Sequence, residues 1–66
     1  MREQVPSIRE CVVWRSGSAR CELWLVGGIP YIRVFVHDRA IHQEPVTRHH
    51  RQRRAEELRA LLTRPA

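Results

Sequence analysis

Apolar and polar residues alternate with a two-residue period over three successive stretches of the chain, each bounded by turn chemistry. Residues 8–15, Ile8 to Arg15, are rich in β-branched and aromatic side chains and read as a strand closed by Ser16-Gly17-Ser18. Residues 19–26 form a second strand, and Gly27-Gly28 supplies the positive φ values that a tight hairpin turn needs. Residues 29–37 form a third, with Pro30 near its entry, where a missing amide is tolerated. His37-Asp38-Arg39-Ala40 can turn the chain once more, so that residues 40–44 return as a short fourth strand with Ile41 facing inward. The period then changes. Ala55, Leu58, Leu61 and Leu62 fall at helical spacing, with Thr47 as the N-cap and Pro65 as the stop, which predicts a helix over about residues 48–63. The expected fold is α+β: one domain spanning 1–66, an antiparallel three- to four-stranded β-meander backed by one C-terminal α-helix.

The second hairpin carries its own register. With Gly27-Gly28 as a two-residue turn, Val26 faces Ile29, Trp24 faces Tyr31, Leu23 faces Ile32, Glu22 faces Arg33 and Cys21 faces Val34. Each pair is chemically compatible, and one is an opposite-charge pair. Alternation then sorts the side chains onto two faces. Cys21, Leu23, Leu25, Ile32, Val34 and Val36 make a purely apolar face suited to the helix. The other face mixes aromatics with charge: Trp24, Tyr31 and Phe35 stand among Arg20, Glu22, Arg33 and His37. Trp14 and Val12 can join either face, depending on the first turn.

One helix covers one face of a sheet, so the mixed face is a candidate interface, centred on Trp24, Tyr31, Arg33 and Phe35. Three outcomes are open for it: packing against a second copy or another protein, stacking of nucleotide bases on its rings, or rings covered by arginine and glutamate stems. Packing on a second copy would make the protein a homodimer.

Charge sharpens the picture. All twelve basic residues are arginine, and net charge is +5. Arg-for-Lys usage of this kind is expected of a high-GC genome, so placement is more informative than number. Residues 1–44 hold six Arg against five acids, whereas residues 45–66 hold six against two. The densest run, Arg48-His49-His50-Arg51-Gln52-Arg53-Arg54, opens the helix, where the helix dipole disfavours cations. Arg48, Arg51, Arg53 and Arg54 are therefore the candidate anion contacts, because guanidinium suits bidentate phosphate recognition. Glu56 and Glu57 follow directly and can mute that field by pairing back to the run.

Other chemistry finds little footing. Cys11 and Cys21 have nine residues between them and no C-x₂-C knuckle. Both occupy positions suited to small buried hydrophobes, so neither metal nor cofactor is expected. Gly27-Gly28 is a hairpin rather than a phosphate loop, and no nucleophile, base and orienting group come together in the pattern. No stretch is long enough for a membrane span, and the polar N-terminus lacks the apolar core of a signal peptide. A cytoplasmic location with reduced cysteines is the expectation.

The functional expectation is a small non-catalytic binding protein contacting nucleic-acid phosphates through the Arg-rich helix start. The alternative is a protein-interaction or regulatory subunit, a homodimer or an inhibitor/adaptor, that uses the aromatic sheet face on itself or on a partner, while the positive field also suits an acidic protein surface. The discriminating feature is where charge and aromatics converge. A surface shared by the Arg run and the Trp24, Tyr31 and Arg33 side chains favours nucleic acid; opposite sides favour protein association.

Overall fold

The computed structural model describes residues 5–63. Four strands and a helix follow in order: β1 Ser7–Ser16, β2 Ala19–Val26, β3 Ile29–Val36, β4 Arg39–Pro45 and α1 Arg51–Leu62. The strands form one antiparallel sheet in the order β1-β2-β3-β4, an up-and-down meander in an α+β arrangement. The fourth strand is present, and β1 and β4 are the edges. No helix among the described residues is long and apolar enough to cross a membrane.

The turns explain the meander. Ser16 pairs with Ala19 across a two-residue loop in which Gly17 takes φ 59°, while Gly27 and Gly28 take φ 60° and 81° at the second hairpin. These are the primed turns whose twist matches that of the strands they join. The third hairpin has the same backbone without glycine: His37 and Asp38 lie at φ 52° and 63°. All five β2–β3 pairs expected from the glycine turn are observed, from Cys21 with Val34 to Val26 with Ile29.

Bulges decide the faces of the edge strands. In β1 the register slips by one residue between Arg9 and Cys11 and again between Val12 and Trp14. Arg9, Val12 and Arg15 therefore pair with Trp24, Glu22 and Arg20, and all three share the open face despite a three-residue spacing. Trp14 pairs with Cys21 and enters the core. In β4 a similar slip sets Ala40 opposite Phe35 and His42 opposite Val34. Ile41 is the extra residue, and it stands about half exposed rather than facing inward.

The core is a single cluster of Trp14, Ala19, Cys21, Leu23, Ile32 and Val34 beneath Ala55 and Leu58 of the helix. The Trp14 indole N–H donates to the Ala55 carbonyl at 2.8 Å, which satisfies the buried ring nitrogen and ties α1 to β1. The helical stripe is buried only through Leu58. Leu61 and Leu62 lie outside that cluster and are exposed.

The helix is also shorter at its start than its sequence predicts. Residues 47–50 form a turn in which the His50 amide donates to the Thr47 carbonyl at 3.2 Å. The Thr47 hydroxyl meets His50 Nδ1 at 2.8 Å instead of a helix amide. His50 occupies the N-cap position without a side-chain cap bond, so Thr47 is not the cap. The C-terminal boundary is Leu62, and the expected Pro65 stop lies outside the described residues.

Candidate functional site

The helix and the Arg-rich segment lie on the apolar side of the sheet, and the aromatic face lies on the other. The two candidate surfaces are therefore on opposite sides. On the helix side, two of the four arginines of the run are tied to the sheet. Arg51 reaches Glu10 of β1 at 3.1 Å, and Arg54 makes a fork to Glu44 of β4 at 2.7 and 3.0 Å. The arginines at the helix start thus straddle the sheet and grip an acid on each edge strand, offsetting the dipole penalty of cations in this turn. Arg54 also reaches Glu57 at 3.2 Å, while Arg53 approaches Glu57 only to 3.8 Å and its side chain is 77% exposed. Arg48 is exposed and has no carboxylate partner among the described residues.

The fork from Arg54, with a second contact from His42, holds the Glu44 carboxyl well below its ordinary range, at about 2. An open groove of about 590 Å³ runs along the β4–α1 junction from Pro45 and Val46 to His50, Arg53 and Glu57. Its floor charge, Glu44 against Arg54, is already neutralised internally.

The open face is built differently. Glu22 sits in its middle with a side chain only 1% exposed. It accepts from Arg20 Nε at 2.7 Å, from the Trp24 indole N–H at 2.9 Å and from Arg9 at 3.3 Å. Burial pushes this carboxyl up, but the bonds from Arg20, Trp24 and Arg9 outweigh it and leave it below its usual range. Arg33 lies opposite Glu22 in register yet forms no ion pair with it. Its guanidinium sits over the Trp24 ring, 4.4 Å from the centroid, and its Nε donates to Gln43 at 2.7 Å. Arg20 covers Phe35 at 4.5 Å and reaches Asp38 in the third turn at 2.7 Å. Tyr31 completes the row beside Trp24 and is half-buried.

The bulges of β1 add two further cations, Arg9 and Arg15, that strand alternation alone does not assign to this face. Arg15 stands directly across from Arg20, a like-charge pairing that Glu22 and Asp38 compensate through their bonds to Arg20. The face thus carries Arg9, Arg15, Arg20 and Arg33 around three aromatic rings, and its one strand-borne carboxylate is buried. Periodic reading misses Arg9 and Arg15 because only a bulge gives the spacing 9, 12, 15 a common face.

Cys21 is buried, and burial pushes its thiol up to about 11, so it behaves as a small apolar group. Cys11 is exposed on the edge strand instead of buried as expected, and both thiols are free. Among the described residues no three His, Cys, Asp or Glu side chains gather closely enough to hold a metal ion. No family model, curated protein or solved structure matches this chain.

Proposed function

We propose that this protein is a small non-catalytic nucleic-acid-binding module that works by phosphate contact. The observation that carries this reading is the convergence of charge and aromatics on the open sheet face, where Arg9, Arg15, Arg20 and Arg33 lie around Trp24, Tyr31 and Phe35 and the one strand carboxylate of that face, Glu22, is buried. Helix-start arginines and aromatics on opposite sides would by themselves favour protein association. Arg9 and Arg15 change that balance, because the aromatic face has its own cations and does not depend on the helix. Arg51 and Arg54 act chiefly in docking the helix, whereas Arg48 and Arg53 remain available for phosphate on the helix side.

A salt titration of oligonucleotide binding tests the reading. Each phosphate neutralised contributes a slope of about 0.7–0.9 in the log–log dependence of affinity on salt. The double variant Arg9→Gln/Arg15→Gln should reduce that slope by about one to two units and weaken binding. Arg48→Gln/Arg53→Gln should reduce it further if the helix side also contacts the strand. Both pairs avoid the helix-docking arginines, so a folded protein is expected. Affinity that is absent, or indifferent to salt and to both double variants, removes the proposal.

A second reading is favoured by the apolar end of the same face, where Val26 pairs with an exposed Ile29. Self-association through that end would make the protein a homodimer, and sedimentation over a concentration series distinguishes the two.

A further inference from the structure

We infer that the open sheet face takes an unpaired nucleic-acid strand, with bases stacking on the guanidinium planes that lie over Trp24 and Phe35. This inference rests on the phosphate-binding reading above and names the class of strand and how it is held. Three features of the face lead to it. The first is charge: four arginines against two carboxylates, the buried Glu22 and the exposed Asp38, leave an excess of positive charge that suits a polyanion. The second is pre-organisation. Arg33 lies over Trp24 and donates to Gln43, and Arg20 lies over Phe35, held there by the buried Glu22. Each guanidinium already lies over a ring, and both side chains stay partly exposed, Arg20 at 21%. The entropy of ordering these long side chains is spent in folding and does not fall on binding.

The third feature is spacing. Phe35 lies opposite Arg20 and Trp24 lies opposite Tyr31, so the two stacked rings stand on rows separated by the Glu22–Arg33 row. Four residues of strand separate those rows, roughly 13–14 Å, a distance that two stretched nucleotides can span. A duplex offers this face only phosphates, because its base planes are hidden in their own stack. An unpaired strand offers planes as well as charge, and sequence-tolerant stacking of this type is the usual way in which single strands are held. Arg9 and Arg15 on the adjoining edge strand then flank the two stacks with cations for the backbone.

Stacking and charge are separable experimentally, since lysine keeps the charge of arginine and loses its plane. Binding is measured by anisotropy for three probes: an oligothymidine of about 12 nucleotides, a hairpin duplex of matched charge, and a base-free heparin fragment. The oligothymidine should bind about tenfold more tightly than either of the others and should quench tryptophan emission. Arg33→Lys should cost about tenfold for the oligothymidine and leave heparin binding unchanged; Arg20→Lys provides the same comparison at the second stack. Circular dichroism of each variant confirms that the sheet persists, and the heparin affinity serves as an internal check on the folded surface. Equal affinity for all three probes, with both lysine variants silent, overturns the stacking inference and leaves phosphate binding standing. Binding to none of them overturns both. A molecular mass that rises with protein concentration, without any oligonucleotide binding, gives the face to a second copy and likewise overturns the inference.

Discussion

Glu22 and Glu44 are the carboxylates on which the arginines converge, one on each side of the sheet. Glu22 is nearly sealed from solvent, and both its oxygens accept, one from Arg9 and Arg20 and the other from Trp24. Glu44 is gripped by Arg54 in a two-bond fork that joins the helix to the fourth strand. Both carboxyls titrate below their ordinary range in the folded protein, Glu44 at about 2 against an ordinary 4.5. A group whose folded pKa is depressed contributes stability that is complete above its unfolded pKa and disappears as pH falls through the folded one. The contribution of Glu44 should therefore be intact above pH about 4.5 and fade towards pH about 2. Urea denaturation across that window should show the wild type losing stability steadily on acidification. Glu44→Gln should start lower at neutral pH, lose less on acidification and approach the wild type at the acid end. Two parallel curves would mean that the fork adds nothing to helix docking.

The third hairpin invites an experiment at the level of the element. His37 and Asp38 both occupy the left-handed region, a conformation that costs an ordinary L-residue roughly 1–2 kcal/mol. Histidine and aspartate tolerate it better than most residues, but Asn-Gly is the sequence that such a turn prefers. The Asp38 link to Arg20 adds little, because its side chain is 89% exposed. His37→Asn/Asp38→Gly should thus stabilise the protein by about 1 kcal/mol, a rise of roughly 4–8 °C in Tm for a domain of this size. An unchanged or lower Tm would show that the loop contacts matter more than the backbone. The same contrast shows how far the chain can be read without its structure. Gly27-Gly28 announces its turn, and the β2–β3 register follows pair by pair; His37-Asp38 makes the same turn with a much weaker signature, so β4 is less evident. Bulges leave no comparable mark. Arg9, Val12 and Arg15 share a face only because β1 carries two extra residues, and Ile41 points outward because β4 carries one. The Arg run is conspicuous as composition, but Glu10, which claims Arg51, is 41 residues away in sequence, and Glu44, ten residues before Arg54, meets it only because the helix folds back against the sheet.

At the scale of the whole molecule, the decisive fact is one helix on a four-stranded sheet. The radius of gyration is 12.5 Å, larger than the roughly 11 Å expected for a compact chain of this length. A domain this small buries only about 60% of the surface its unfolded chain exposes, so its stability is modest and sensitive to whatever covers the open face. A ligand that binds only the folded state adds about 2.7 kcal/mol at a free concentration one hundred times its Kd. For a domain of this size that amounts to a rise of roughly 10–20 °C in Tm. Oligothymidine at saturating concentration should produce a shift of this order in the wild type. The shift should shrink in Arg33→Lys and in Arg9→Gln/Arg15→Gln at the same oligonucleotide concentration, since both variants raise Kd. Added salt should reduce it as well, because phosphate contacts weaken by counterion release. Protein concentration separates the occupants: a nucleic-acid face gives a Tm that depends on oligonucleotide and not on protein, whereas a face that packs on its own copy gives a Tm that climbs as the protein is concentrated without any ligand.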